Sequence, residues 1–424
     1  MSPRIPALAW SAAFAASLLL GTALKLWLAA RQVRHVQAHR GAVPAPFAAS
    51  IDLPAHRKAA DYTIARARFG QLHTLYSALL IVVWTLLGGL QGLAETIGAH
   101  LGDGIGAQLA LLGAFALLGS LLDLPWDLWQ TFRLEARFGF NRSTPALFTV
   151  DALRNALVSA LLLGPLAWLL LWLMRASALW WLWGWAAFAA FSLAMMVLFP
   201  MVIAPLFNRF EPLADGEVKS RAQALMQRCG FALQGLYVMD GSRRSAHANA
   251  YFTGIGAARR VVLFDTLLTQ LTPPQVEAVL AHEVGHYQRH HIRQRLWLTL
   301  AMSLLGFAAL GWLASRGWFY AGLGAGSPPV PQQQAVALIL FMLVLPVFGV
   351  FATPLGAAWS RRHEFEADAY AAAHADAAEL GAALVSMYRD NASTLTPDPL
   401  YVRFHYSHPP ALQRLARLGA LPRA

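Results

Sequence analysis

The sequence predicts a mainly α, polytopic membrane protein with seven transmembrane helices and a small α+β domain at one end of the bundle. Three observations predict it. Hydrophobic residues make up 57% of the 424-residue chain and charged residues only 13%, a balance far more apolar than that of a soluble domain. Seven windows are long and apolar enough to cross a bilayer, which takes about 20 residues each. Two polar stretches hold the remaining mass, and the first of them alternates helical with strand-like patterning.

The apolar windows fall near residues 6–29, 72–94, 105–125, 153–174, 178–204, 296–315 and 335–357. The chain therefore divides into a membrane region at 1–207 with five spans, a polar segment at 208–293, spans six and seven at 294–357, and a polar segment at 358–424. The first window exceeds the apolar core of a signal peptide and reads as a retained helix. Gly88-Gly89, Pro165, Pro200 and Pro346 lie inside windows, where membrane helices tolerate kinks.

The formal net charge is +11. Its basic residues lie between and beside the apolar windows, which points to a lipid bilayer as the partner and not to nucleic acid. Loop charge alternates: Arg31 to Gly70 holds seven Arg or Lys, Glu95 to Gly104 none, and the alternation continues along the chain. By the positive-inside rule the odd loops face the cytoplasm, with the N-terminus outside and the C-terminus inside. Arginine supplies 30 of the 33 basic residues, which suggests a GC-rich bacterial genome and hence a bacterial inner membrane. Cys229 is the only cysteine, so an internal disulfide and a cysteine metal cluster are both excluded.

In the first polar segment a helix is expected over about 217–229. Strand patterns follow at 236–239, 247–253 and 261–264, with turns at 254–256 and, before span seven, at 324–329. Thr272-Pro-Pro-Gln275 starts the next helix, because Thr caps, Pro suits the first turn and Gln completes a capping box. No breaker separates that helix from span six, so the two are expected to be nearly continuous.

This helix carries Val279-Leu-Ala-His-Glu-Val-Gly-His-Tyr287, an HExxH motif. Residues i and i+4 share one helix face, so His282 and His286 can bind one zinc ion while Glu283 meets water on it. A catalytic zinc needs a third protein ligand. His290 lies about 12 Å along the helix from His282, too far for the same ion, and His290 and His291 are expected to be solvated interface residues. The continuation HExxHxxGxxH is absent, since Arg289 and Ile292 occupy its last two defining positions. The acidic cluster Ser360-Arg-Arg-His-Glu-Phe-Glu-Ala-Asp-Ala-Tyr370 follows span seven. Glu364 and Asp368 share one face there, with Glu366 pointing elsewhere. They form either a ligand with a supporting acceptor or a solvated pair for Arg361 and Arg362.

VLAHEVGHY, SRRHEFEADAY and SHPPALQRL resemble signatures of the integral-membrane zinc metalloproteases that include the type I CAAX prenyl proteases and the quality-control protease HtpX. Phe138-Gly-Phe-Asn141, Pro205 to Leu213 and Ser242 to Gly254 are similar to the CAAX branch specifically. The resemblance implies seven helices ringing a water-filled chamber with one zinc ion closing its cytoplasmic end. It implies that His282, His286 and Glu364 bind the zinc, that Glu283 is the general base, and that Asp368 supports a ligand histidine. It places His408 and Arg414 near the reacting carbonyl, and Asn249 and Tyr251 on an edge strand that receives the peptide. The implied substrate is a peptide or protein, including lipidated or amphipathic ones. Two rivals accompany this reading: an HtpX-like protease of broad specificity, and a transporter or channel with a metal site. Gly139 to Asn141 and Pro205 to Phe210 read as turns and packing, and Trp180, Trp181 and Trp183 as an interfacial belt.

Overall fold

The computed structural model describes residues 4–231, 235–253, 260–326 and 332–419. Helix dominates the membrane region because lipid offers no partner for a free backbone group. Among the described residues, six helices are long and apolar enough to cross a membrane: Ile5–Ala38, Ile105–Phe138, Pro145–Ala176, Trp180–Phe207, His291–Leu313 and Gln333–His374. A bent pair, Leu53–Trp84 with Gly89–Leu101, makes seven when counted as one span, and it turns by 51° at the break. The Gly88-Gly89 kink is therefore a full interruption. Gly88 adopts φ +76°, and a Cβ on Gly89 would meet the Val83 carbonyl oxygen at 2.6 Å, so only glycine fits this corner. Pro200 lies in a π-helical turn, Phe199–Ile203, and a second π-turn, Gln130–Glu135, interrupts the helix that begins at Ile105. Pro165 stays within a continuous α-helix.

The helices outrun their apolar windows. The first continues to Ala38, and the second begins at Leu53, where the Asp52 carboxylate accepts the Ala55 N–H at 2.8 Å. Much of the basic first loop is consequently helix that projects beyond the bilayer. These extensions and the C-terminal segment enclose a cavity of about 550 Å³, lined by Lys25, Gln32, Tyr62 and Arg66 from the first two helices and by Tyr401 and His408 opposite.

The polar segment forms a four-stranded sheet of β1 (Phe210–Pro212), β2 (Gly235–Met239), β3 (Ala250–Thr253) and β4 (Arg260–Phe264) in the order β1-β2-β4-β3. β2 and β4 are parallel, with Leu236 opposite Val261, while β1 and β3 pair antiparallel at the edges. β1 was not expected, and β3 is shorter than the 247–253 pattern. The 254–256 turn lies outside the described residues, as does part of the 324–329 turn. Leu225, Val261, Leu263, Leu280 and Val284 are buried together between the sheet, the helix Glu217–Arg228 and the motif helix.

The membrane bundle grips this domain through the Gly-Phe-Asn turn. Gly139 takes φ +81°, Asn141 bridges to Ser245, and the Phe140 carbonyl accepts the Ala246 N–H at 3.1 Å. The structural reading of that turn agrees with these contacts.

The motif helix spans Pro273–Gln288 and opens with the expected capping box, in which Gln275 Oε1 accepts the Thr272 N–H at 3.1 Å. Its expected continuity with span six is corrected. His290 adopts φ +60°, and a new helix begins at His291. Histidine enters the left-handed region more readily than most residues, so no glycine or proline signals the break. Continuity instead belongs to the carboxylate helix, Thr353–His374, which follows Gln333–Gly349 through a single 3₁₀ turn after Pro346. Span seven thus delivers Glu364 directly.

Candidate active site

The motif helix and the carboxylate helix meet because of Gly285. A Cβ there would lie 3.0 Å from Tyr370 Cβ and 3.1 Å from the Ala367 backbone, so glycine sets how closely the helices approach. With that spacing His282, His286 and Glu364 converge, with one ligand atom from each lying within 4.8 Å of the others. His282 Nε2 and His286 Nε2 stand 3.2 Å apart. Glu364 reaches them at 3.5 and 3.4 Å respectively. The alternative of a solvated Glu364–Asp368 pair is incompatible with this packing, since each residue is only 2% exposed.

Each of the two converging histidines is held from behind by a different device. His282 Nδ1 donates to Asp368 Oδ1 at 2.9 Å. Asp368 is fixed in turn by Arg414, whose Nε and Nη2 donate to its two oxygens at 2.8 and 2.5 Å. His286 Nδ1 instead meets His291 Nδ1 at 2.9 Å, and His291 Nε2 meets Glu366 at 3.0 Å. Glu366 also accepts from Arg362 at 2.8 Å. His291 is 1% exposed and stacks in parallel on His363 with ring centroids 3.9 Å apart. The expectation of a solvated His291 is thereby overturned: the left-handed turn at His290 swings it inward, while His290 itself stays exposed. Glu366, read as pointing elsewhere, anchors the end of this chain.

Electrostatics in the cleft favour positive charge at the cluster. Burial opposes protonation of His282, but the hydrogen bonds to Asp368 and Glu364 prevail and lift its pKa to about 9. One buried oxygen of Glu364, Oε2, has no hydrogen-bond donor. A cation bound by the two Nε2 atoms and Glu364 satisfies that oxygen, and a set of two imidazoles and one carboxylate matches a catalytic divalent metal with a position left open. The residues fit the ion.

A cleft of about 160 Å³ opens beside the cluster, and Glu283, His408, Arg414 and Asn249 line it with the three ligands. Desolvation raises the Glu283 pKa above the ordinary carboxylate value, partly offset by His282 and His286. His408 Nε2 lies 3.4 Å from Glu364. It belongs to the walls of both the cleft and the large cavity, and desolvation lowers its pKa, so it is largely neutral near pH 7. Arg414 is 7% exposed and is largely committed to Asp368. Asn249 is exposed just before edge strand β3, where its side-chain oxygen accepts the Ala250 N–H at 2.8 Å. Tyr251 packs edge-on against Phe264 with centroids 6.3 Å apart, on β3 but outside the cleft wall.

Sequence reasoning missed Gly285, His291 and Glu366. The fifth residue after His286 being another histidine was visible, but the reversal at His290 that makes it useful was not.

The model for the CAAX prenyl protease N-terminal region, five membrane helices, matches residues 32–209, and that for peptidase family M48 matches 212–421. The chain is 33% identical to CAAX prenyl protease 1 of Saccharomyces cerevisiae over 87% of this chain and 86% of that protein. It is 30% identical to the Homo sapiens CAAX prenyl protease 1 homolog, over 96% and 95% of the respective chains. The crystal structure of S. mikatae Ste24p superposes with a TM-score of 0.89 at 29% identity, covering 96% of this chain and 99% of that one. A chain with these matches over nearly its whole length, the same chambered fold and a metal-ligand cluster on its HExxH helix belongs to peptidase family M48, in its CAAX prenyl protease branch, and is a multi-pass membrane metalloprotease.

Proposed function

We propose that the chain is a zinc metalloendopeptidase that cuts extended peptides, lipidated and amphipathic ones among them, at the cytoplasmic face of a bacterial inner membrane. The observation that carries the reading is Glu283, a desolvated carboxylate in the cleft beside three convergent ligand groups. A structural or transport site has no use for a non-ligand base in that place.

His282, His286 and Glu364 would hold the zinc, which when bound supplies Lewis acidity to the scissile carbonyl and makes water acidic enough to ionise near neutral pH. Glu283 takes the proton of the attacking water and delivers it to the leaving amine. Its raised pKa suits both halves of that task. Neutral His408 donates a hydrogen bond towards the oxygen on which charge develops. Arg414 acts through Asp368 by orienting His282. The free edge of β3 near Asn249 and Tyr251 offers main-chain groups to an extended peptide, which reads few side chains and so suits varied sequences.

The large cavity supports the substrate class. His408 lines both the cavity and the cleft, so the cavity's largely polar walls offer a peptide chain a hydrated space beside the hydrolytic cluster. The CAAX prenyl protease name of the relatives agrees with a lipidated peptide. The arginine-rich composition supports a bacterial host, and the loop charges support a cytoplasmic cleft.

The Glu283→Gln variant tests the base. It should keep its zinc, measured by elemental analysis of the purified protein, and lose peptide cleavage by at least about a hundredfold. Undiminished cleavage would remove Glu283 from the mechanism. Metal uptake into vesicles with no peptide cleavage by the wild-type chain would favour a transporter.

A further inference from the structure

A groove of about 530 Å³ lies on the bundle between the helices Leu53–Trp84 and Ile105–Phe138 and shares no lining residue with the cleft. Three guanidinium groups line it, from Arg68, Arg133 and Arg137, together with Phe69, Leu72, Trp126 and Trp129. No carboxylate lines it. All three arginines are exposed, and none makes a hydrogen bond or ion pair among the described residues; Arg137 only lies over its neighbour Phe138. Asp61, whose carboxylate feels the charge of Arg137, is hydrogen-bonded by Arg40 at 2.6 and 2.7 Å.

The level of the groove follows from helix lengths. At about 1.5 Å per residue the second helix rises about 24 Å from Trp84 back to Arg68, and the fourth about 32 Å from Ile105 to Trp126. The second figure spans a hydrocarbon layer roughly 30 Å thick; the first falls short because the bent pair continues through Gly89–Leu101, and the apolar window at 72–94 begins just after Arg68. Trp126 and Trp129 stand where interfacial tryptophans concentrate, with Arg133 and Arg137 just beyond them. Leu72 continues the groove towards the layer and is 60% exposed. The floor is rigid, since Leu134 and Phe138 are buried against Tyr62 and Phe140. Arg133 also sits on the π-turn Gln130–Glu135, and such turns frequently mark functional positions.

We propose that this groove is a specific site for an anionic phospholipid of the surrounding bilayer, with the headgroup phosphate among the three arginines and an acyl chain along Leu72, Phe69 and Trp126. Three guanidinium groups with no hydrogen-bond or ion-pair partner among the described residues favour an anion, and the adjoining apolar lane favours one that carries a tail. Basic pockets between membrane helices bind anionic headgroups on this principle.

The test uses the full-length protein in neutral detergent and native mass spectrometry. Phosphatidylglycerol is titrated against phosphatidylcholine with the same acyl chains, for the wild type and for the combined Arg68→Gln, Arg133→Gln, Arg137→Gln variant. The wild type should retain one phosphatidylglycerol at concentrations where phosphatidylcholine is lost, and the variant should lose that preference by at least tenfold while still cleaving peptide. Equal retention of the two lipids by the wild type would overturn the site, as would unchanged preference in the variant. Displacement of the lipid by millimolar inorganic phosphate would also overturn it, by showing a site for a free anion. If the variant fails to fold, the wild-type comparison of the two lipids decides alone.

Discussion

At the scale of single residues, the cluster separates those that bind from those that hold. Glu364 belongs to the first kind. Its unpartnered oxygen faces two imidazoles in a buried pocket, so Glu364→Ala should lower zinc content as severely as His286→Ala, measured on purified protein after dialysis. Normal zinc in Glu364→Ala would mean that another group is the third ligand. His291 belongs to the second kind. With a metal ion on His286 Nε2, the Nδ1–H of His286 would donate to His291 Nδ1, which would leave His291 Nε2–H to donate to Glu366. A neutral ring therefore links a ligand to a carboxylate. His291→Ala should weaken zinc retention by about 10- to 100-fold in competition with a chelator, while His290→Ala, one position away and exposed, should not change it. Equal retention in both variants would reduce the His291 chain to packing.

At the scale of elements, the site is the contact of two helices, and Gly285 sets their separation. A side chain there collides with the Ala367 backbone, so Gly285→Val should push the carboxylate helix away and lose zinc and cleavage together, although position 285 touches neither ligand atom nor substrate. Retention of zinc in that variant would show that the helices can separate without carrying Glu364 away. The same contact explains what could be read from the chain beforehand. His282, Glu283 and His286 are local in sequence and fixed by helical spacing, and the cap at Thr272 follows from residue types alone. Glu364 and Asp368 required either a contact between elements far apart in sequence or the likeness to a known family. His291 depended on one backbone angle, at a residue whose type permits but does not demand it. Six of the seven windows fall on continuous spanning helices because lipid contact imposes a length and composition on each, while the window at 72–94 runs across the bend after Trp84. Helix ends beyond the bilayer answer instead to caps and packing, which is why the extensions at Ala38 and Leu53 escaped the hydropathy pattern.

At the scale of the whole molecule, the bent pair decides which side of the membrane each end occupies. If Leu53–Trp84 with Gly89–Leu101 crosses as one span, the chain has seven crossings and its ends lie on opposite faces; without it there are six, with both ends on the same face. Loop charge favours seven. The segment Arg31 to Gly70 is basic and Glu95 to Gly104 carries no Arg or Lys, so a crossing between them separates opposite charge environments. The single native cysteine makes the test simple. In a Cys229→Ser background, Asp103→Cys lies in an exposed turn before the helix that starts at Ile105, and Ser220→Cys lies on an exposed face of the protease domain. A membrane-impermeant maleimide applied to intact spheroplasts should label Asp103→Cys and leave Ser220→Cys untouched until the membrane is opened. Labelling of Ser220→Cys alone would reverse the orientation. A third variant tests the bent pair: Ser50→Cys, in the exposed turn before the helix that starts at Leu53, should stay unlabelled, whereas its labelling together with Asp103→Cys would remove the second crossing. A reversed orientation would place the hydrolytic cleft away from the cytoplasm, and with it the peptides that the enzyme can reach.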